Sequence, residues 1–244
     1  MGTRKVQEIT RFGLEVDEPL AGRYQVVSKL GSGWEGEVYL IRETATGIER
    51  AAKLFFPQRN PKNRTAKHYA IKLHELRHCN ILIKYLNQEI IRIDNKPVTL
   101  LVSEFVEGDV LSEMIKRSPG KRLSSFEALH LLYALARGMS DVHLAREYHG
   151  DLHTDNIIVR RYGLGFEVKL IDLFSHPMPK SELMKDDVCD LIRVFYDALG
   201  GAKHYSRVSP EIKQICCGLK RTLILKKYRN AAQLRDYLEK IEWQ

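Results

Sequence analysis

Short apolar blocks dominate the first hundred positions, and the period then changes. Tyr24-Gln25-Val26-Val27, Val38-Tyr39-Leu40-Ile41 and Ala51-Ala52-Lys53-Leu54-Phe55-Phe56 are separated by glycines and by Thr46-Gly47. Blocks of this length with such breaks predict a meander of antiparallel strands, ended by Pro57 and Pro61. Ala70, Leu73, Leu76 and then Ile81 fall at helical spacing and predict one apolar helix face. Two more strands are expected at Glu89 to Ile93 and Val98 to Phe105, joined by a turn at Asp94-Asn95-Lys96. Beyond Gly108 the period is mainly helical. Leu111 to Lys116 forms a short helix, and Ser124-Ser125-Phe126-Glu127 offers a capping box for a long one through Leu129, Leu132, Leu135, Met139 and Val142. Further helices are expected at Asp187 to Leu199, Pro210 to Leu225 and Ala231 to Ile241. The pattern therefore predicts an α+β protein, a small β-rich lobe preceding a larger helical one.

Length permits this division, because 244 residues suffice for one large core or two small lobes. Residues 1–21 carry little pattern and read as an N-terminal extension to a domain over 22–244. The N-lobe is expected over 22–105, the hinge over 104–109 and the C-lobe over 110–244. Charged residues at 29% beside 44% hydrophobic ones fit an ordinary soluble domain. No apolar run approaches the roughly 20 residues that cross a bilayer, and Met1 to Thr10 lacks the apolar core of a signal peptide. Val6 stands where a myristoylation signal wants Ser or Thr. Cys79, Cys189, Cys216 and Cys217 form no C-x-x-C pair, with Cys216-Cys217 expected as helix-buried thiols, so a reducing, cytoplasmic setting is expected. The net charge of +8 suits acidic partners such as nucleotides. Its basic residues are scattered apart from Lys220-Arg221 and Lys226-Lys227-Arg229, which favours a solvated surface over a nucleic-acid site.

Chemistry concentrates in three places. Gly31-Ser32-Gly33-Trp34-Glu35-Gly36-Glu37-Val38 fits G-x-G-x-x-G-x-V between two expected strands. Glycines there let the backbone approach phosphates and aim N–H groups at them. A dinucleotide-binding loop would open a helix, whereas Val38-Tyr39-Leu40 continues as a strand. Lys53 follows at a distance suited to α- and β-phosphates, among Ala, Leu and Phe neighbours that argue for burial and pairing. Second, His149-Gly150-Asp151-Leu152-His153-Thr154-Asp155-Asn156 sets an acid five residues before an amide, ahead of apolar Ile157-Ile158-Val159. Phosphoryl transfer needs an acid to orient the acceptor hydroxyl and an amide oxygen to help hold Mg²⁺. Third, Val168-Lys169-Leu170-Ile171-Asp172 puts a carboxylate at the end of an apolar strand, suited to a second Mg²⁺ ligand. Singly, each could cap a turn; in this order they predict a nucleotide site.

With these residues the chain, from about Arg23 to Ile241, resembles the protein-kinase superfamily, which implies a bilobal kinase-like fold. Ala21-Gly22-Arg23-Tyr24 before the Gly-rich loop is similar to bacterial serine/threonine kinases. The resemblance implies that Gly31, Ser32, Gly33 and Gly36 cover the triphosphate and that Val38 and Ala51 cover the adenine from above, Ile158 from below. It implies hinge contacts by Glu104 and Val106, a ribose contact at Asp109 and a small gatekeeper at Ser103. Asp151 becomes the hydroxyl-orienting acid, Lys53 the phosphate anchor, and Asn156 and Asp172 the ligands of Mg²⁺, with Mn²⁺ as alternative. His78-Cys79-Asn80-Ile81 resembles the H-P-N-I turn, and Asp187-Val188-Cys189-Asp190-Leu191 resembles the start of the helix whose Asp holds the catalytic loop.

Several positions depart from the pattern. The glutamate that usually pairs with the strand lysine is replaced, counting back from His78, by Tyr69. Glu75, the only acid between Lys53 and His78, is the candidate by default; equally, Glu75 is a surface residue and Lys53 pairs elsewhere. D-F-G becomes Asp172-Leu173-Phe174. Gly150 replaces the arginine of H-R-D, and His153 stands where a lysine normally helps the γ-phosphate, cationic only in part at pH 7. Asp172 and Asp187 lie close in sequence with no A-P-E, leaving Arg229 orphaned or partnered by Glu182. The catalytic loop and missing A-P-E resemble RIO-type, tRNA-modification-complex and aminoglycoside-phosphotransferase-like kinases.

His74-Glu75-Leu76-Arg77-His78 also matches H-E-x-x-H on an expected helix, a zinc-protease pattern, but among nine histidines chance matches are easy. The expectation is an ATP- and Mg²⁺-dependent serine/threonine protein kinase, with a protein substrate and no membrane partner. The alternatives are an ATPase or small-molecule kinase within a complex and a nucleotide-binding pseudokinase scaffold.

Overall fold

A computed structural model describes residues 8–163 and 165–241. The described residues form two compact units, one holding the chain up to Arg77 together with Ile83–Val106, the other His78–Leu82 together with the chain from Glu107. The α+β expectation holds.

The first unit is a six-stranded antiparallel sheet with one helix. Its strands are β1 (Pro19–Leu20), β2 (Tyr24–Ser32), β3 (Gly36–Glu43), β4 (Glu49–Phe55), β5 (Tyr85–Ile93) and β6 (Lys96–Glu104), in the spatial order β1-β2-β3-β4-β6-β5. Period-two alternation sorts their side chains. Tyr39 and Ile41 of β3, Ala52 and Leu54 of β4, and Val98, Leu100 and Val102 of β6 bury one core with Leu20, Tyr24 and Val26. The opposite face of β3 and β4 carries Val38 across from Lys53 and Leu40 across from Ala51. Thus one register sets both the core and the row that holds the lysine.

The segment before β1, which carries little sequence pattern, packs on this sheet. Ile9 is buried, its carbonyl accepts from Gln58 Nε2 at 2.6 Å, and Phe12 stacks on Phe56 with ring centroids 5.1 Å apart.

Helix α1 (Arg64–Glu75) buries Ala66, Tyr69, Ala70 and Leu73 at helical spacing. Asn60 supplies its missing cap, accepting from the Ala66 N–H at 3.1 Å while donating to Thr99 Oγ1 of β6 at 2.9 Å. The helix stops at Glu75, with Leu76 at φ −89° and ψ 14°. Ile81, expected on the same face, instead belongs to the second unit and packs on the long helix there.

That second unit begins with β7 (Asp109–Val110), α2 (Leu111–Arg117) and α3 (Ser125–Leu144), then β8 (Ile157–Tyr162) and β9 (Gly165–Leu170). Strands β7, β8 and β9 form a small antiparallel sheet. The capping box is present: Ser124 Oγ accepts from the Glu127 N–H at 3.2 Å, and Glu127 Oε2 accepts from the Ser124 N–H at 2.9 Å. A Cβ on Gly138 of α3 would lie 2.4 Å from Ile81 Cδ1, so this glycine is the seat of that isoleucine.

Five helices complete the unit: α4 (Lys180–Ala198), α5 (Ala202–Tyr205), α6 (Pro210–Cys216), α7 (Arg221–Lys227) and α8 (Ala231–Glu239). Two differ from expectation. Helix α4 starts at Lys180 rather than Asp187, because Leu183 already belongs to its buried face; the charges at 185–187 hide that face in the sequence. The expected helix Pro210 to Leu225 is broken by Cys217, Gly218 and Leu219 at φ 49°, 59° and 58°, a left-handed stretch no α-helix contains. Hence Cys216 is buried in α6, whereas Cys217 sits partly exposed in the break. All four cysteines are free thiols. No helix among the described residues is long and apolar enough to cross a membrane.

Candidate functional site

In the first unit the Gly-rich loop is a β-hairpin turn between β2 and β3, closed by the Gly33 N–H donating to Gly36 O at 2.9 Å. Its glycines do different work. A Cβ on Gly36 would meet Leu54 O at 1.9 Å, so the close approach of β3 to β4 demands glycine, whereas Gly31 and Gly33 face open space. Ser32 and Gly33 are exposed, and Trp34 stands 65% exposed with the Arg59 guanidinium 4.0 Å from its ring centroid.

Lys53 lies across from Val38 on β3 and Leu101 on β6, and Ala51 across from Ser103. Lys53 Nζ pairs with Glu35 Oε2 at 2.8 Å and sits 5.3 Å from the Tyr69 ring centroid. Glu75 is exposed at the end of α1, so of the two readings of that residue the surface one fits. Glu35 was illegible as a partner, although a carboxylate inside a loop suited to phosphates is itself a signal.

Beside it, Glu37 is buried. Its carboxylate accepts from the Phe12 N–H at 3.1 Å, from Tyr39 Oη at 2.5 Å and from Lys29 Nζ. Burial alone pushes its pKa up; the bonds from Lys29, Tyr39 and Phe12 outweigh that and hold it below the ordinary carboxylate value. The same contacts push the Tyr39 hydroxyl far up, burial first and the Glu37 bond second. At the end of β6, Glu104 exchanges backbone bonds with Lys84, donating to Lys84 O at 3.0 Å while its side chain accepts from the Lys84 N–H at 3.2 Å. Ser103 is buried, and Val106 ends the unit half-buried.

In the second unit Asp187 organises the catalytic-type loop. Fully buried on α4, it accepts from the His149 N–H at 2.8 Å and the Gly150 N–H at 2.9 Å. His143 Nε2 lies 3.2 Å from the same carboxylate, its Nδ1 accepting from the Ala231 N–H at 3.4 Å. His149 Nδ1 accepts from the Asp151 N–H at 3.3 Å, so its Nε2 carries the proton donated to Ile171 O at 2.9 Å. Gly150 has φ 87°, and His176 Nε2 donates to its carbonyl at 2.9 Å. His143, His176 and Gly150's conformation were not legible from motif spacing.

Asn156 closes the loop onto Asp151. Its Nδ2 lies 2.9 Å from Asp151 O, 3.1 Å from Asp151 Oδ2 and 2.9 Å from His153 Nε2, which commits the amide nitrogen and turns the oxygen to other work. The Ile171 N–H donates to Asn156 O at 3.0 Å, so Asn156 and Asp172 stem from adjoining backbone. An amide oxygen just before β8 and a carboxylate just after β9 are a donor set that suits a hard divalent cation. Asp172 itself adopts φ 58°, uncommon for a residue other than glycine.

His153 has Nδ1 3.2 Å from the Asp155 N–H, and Asp155 accepts from Ser112 Oγ. With Nδ1 accepting, the neutral ring carries its proton on Nε2, which faces Asp151 Oδ2 at 3.5 Å, a setting unlike that of a lysine ammonium. Ile158 lies across from Val110 and Lys169, and exposed Asp109 pairs with Arg117 at 2.6 Å. Leu173 is buried, whereas Phe174 is exposed and tilts against His176 at 4.7 Å. Glu182 pairs with Lys185 at 2.6 Å and Arg221 at 3.3 Å, so of the two readings of Arg229 the pairing with Glu182 gives way to Arg221.

The zinc-protease pattern dissolves here: α1 ends before His78, and no cluster of three His, Cys, Asp or Glu ligands forms among the described residues.

Known proteins match both parts. The serine/threonine-protein kinase pkn2 of Myxococcus xanthus is 29% identical over 157 residues, covering 63% of this chain and 18% of that protein. The calcium-dependent protein kinase 4 of Plasmodium falciparum is 28% identical over 185 residues, covering 73% of this chain and 34% of that protein. The chain thus spans well under half the length of either relative. The PknI kinase domain of Mycobacterium tuberculosis superimposes with a TM-score of 0.67 at 19% identity, covering 93% of this chain and 98% of that one, which shows the kinase fold. The model of the protein kinase domain matches residues 24–192, and with the loop, lysine and acid–amide pair on these elements, the chain belongs to the protein kinase family.

Proposed function

We propose that this chain is an ATP-dependent serine/threonine protein kinase that transfers the γ-phosphoryl group of ATP to a protein hydroxyl. ATP supplies the phosphoryl group, and Mg²⁺, or Mn²⁺ in its place, neutralises the charge on it. The observation that carries the reading is the Asp151–Asn156 pair. Asp151 keeps half of its side chain exposed, open to an acceptor hydroxyl, while Asn156 is buried and holds it by two contacts.

In this reading Asp151 orients the hydroxyl and takes its proton, and Asn156 and Asp172 hold the cation. Lys53 anchors phosphate oxygens, while Gly31, Ser32, Gly33 and Gly36 let backbone N–H groups face the triphosphate. In the first unit Val38 and Ala51 contact the base and Glu104 and Val106 offer it backbone groups; in the second, Ile158 contacts the base and Asp109 the ribose. His153 borders Asp151 at 3.5 Å and tunes that carboxylate's surroundings. Four free cysteines fit a reducing compartment, in keeping with a cytoplasmic location.

Transfer of labelled phosphate to protein tests the reading. Because this chemistry is mostly positioning and charge stabilisation, Asp151→Ala should lower the rate by about 10²-fold or more. Equal transfer by that variant refutes it. The short stretch between Leu170 and α4, at residues 171–179, favours a second reading, an ATPase or small-molecule kinase with a different acceptor. Mass spectrometry after incubation with ATP separates them: phosphosites support the protein kinase, whereas ADP release without phosphosites supports the second.

A further inference from the structure

Lys53 carries its charge on a flexible four-carbon stem, and holding that charge in one place takes a counter-charge. Helix α1 brings an aromatic ring rather than a carboxylate to it, since Tyr69 is the α1 residue 5.3 Å from Nζ and Glu75 is exposed. Within the first unit the Glu35 carboxylate reaches Lys53 at 2.8 Å, with the two side chains 11% and 20% exposed.

Glu35 is not on a free loop tip. Its carbonyl accepts from the Phe56 N–H at 2.8 Å, tying it to the end of β4. On one side Gly36 is seated against Leu54 O, and on the other Trp34 lies under the Arg59 guanidinium at 4.0 Å. Both neighbours are therefore fixed to the strand and connection that carry the lysine. A carboxylate delivered this way moves with Lys53.

We infer that Glu35 is the positioning residue for Lys53, so that the phosphate anchor is set by the Gly-rich loop itself rather than by a glutamate on α1. This rests on the reading of Lys53 as the phosphate anchor. An ammonium has three donors, so a bond to Glu35 is compatible with bonds to phosphate oxygens. The anchor is then ready without any movement of α1. A carboxylate that instead competed with phosphates for Lys53 would behave oppositely on neutralisation, and the two roles separate cleanly.

The test compares Glu35→Gln, Glu35→Asp and Glu75→Gln with the unaltered chain and with Lys53→Met. Labelled-phosphate transfer gives kcat and the KM for ATP, and calorimetry gives ADP affinity. Acetic anhydride labelling read by mass spectrometry gives the acylation rate of Lys53, which needs no turnover. Glu35→Gln should lower kcat by about tenfold or more with KM changed less than about threefold. It should also speed Lys53 acylation by about threefold, because an ammonium stripped of its counter-charge releases its proton more readily. Glu35→Asp should recover part of both effects, and Glu75→Gln should show neither. Tighter ADP binding with undiminished kcat in Glu35→Gln would make Glu35 a competitor and overturn the inference, as would unaltered Lys53 acylation. If Lys53→Met and the unaltered chain transfer phosphate equally, or neither does, the kinase reading falls, and the acylation rates alone still decide the pairing.

Discussion

Replacing Glu37 should damage the first unit far more than its place in a solvent-facing motif suggests. Its side chain is 1% exposed and gathers Phe12, Lys29 and Tyr39 around one carboxylate. Lys29 is partly exposed, so water screens its share. The bonds from the Phe12 amide and the buried Tyr39 hydroxyl are charge-assisted and worth about 1.5–3 kcal/mol each. Glu37→Ala leaves the buried Tyr39 hydroxyl and the part-buried Phe12 amide without their acceptor, and should cost about 2–5 kcal/mol. At about 2–4 °C per kcal/mol for a chain of this size, the thermal midpoint falls by on the order of 10 °C. Glu37→Gln keeps one acceptor and should cost about 1–2 kcal/mol. The deficit depends on pH in a definite direction. A carboxyl held below its ordinary value of 4.5 stabilises the fold above that value and loses the effect as pH falls through its lowered one. The gap between Glu37→Ala and the unaltered chain is thus full at pH 7 and narrows below about pH 4. Because the Phe12 N–H is one of the donors, trypsin should cut after Arg11 faster in Glu37→Ala. Melts within about 1 kcal/mol of the unaltered chain at pH 7, with unaltered trypsin cleavage, would refute this account.

Two further outcomes follow from single contacts. Gly36→Ala forces a Cβ to within 1.9 Å of Leu54 O and should cost about 3 kcal/mol or more in a denaturant melt, whereas Gly31→Ala, facing open space, should stay within about 0.5 kcal/mol; equal effects would show that β3 and β4 do not approach so closely. Asp190 has its pKa pushed up to about 7, first by burial and then by the charges of Asp187, Asp186 and Asp151, against the weaker pull of Arg193. The folded state therefore holds a proton that the unfolded chain releases near 3.8, and stability falls as pH rises from there to about 7. Asp190→Asn should melt higher than the unaltered chain at pH 8, by on the order of 2–4 kcal/mol, with the two converging toward pH 4; a constant difference across that range would contradict it.

Much of this architecture was written in local pattern. The β3–β4 hairpin followed from short apolar blocks broken at Thr46-Gly47, and α3 announced itself through Ser124 and Glu127, because both signals involve residues close in sequence. What escaped notice depends on contacts distant in sequence. Glu35 meets Lys53 across 18 positions, and Glu37 meets Phe12 across 25, neither at a period any helix or strand would print. The start of α4 was masked by Asp187, a charge buried for its hydrogen bonds, which inverts the hydrophobic pattern where the helix matters most. The break at Cys217 had a glycine beside it, but backbone turning left-handed at Cys217 and Leu219 has no compositional signature.

The loss of the arginine before Asp151 is explained by geometry rather than by drift. At φ 87° Gly150 occupies a region that strains any side chain, and a Cβ there would lie 2.9 Å from both Phe174 O and the Tyr148 ring. No arginine fits without moving the loop. The loop is held instead by bonds within the unit: His176 Nε2 donates to the Gly150 carbonyl, the Phe174 N–H donates to the His149 carbonyl at 3.0 Å, and the His149 and Gly150 amides donate to the Asp187 carboxylate. Both peptide groups beside Asp151 are thus held within one unit, without a charged side chain waiting for a phosphate. Residues 171–179 need not be long to do this, because Phe174 and His176, which bond His149 and Gly150, lie only a few positions past the end of β9. A short segment and a glycine are then two sides of one arrangement, in which the acid's position is set as the chain folds.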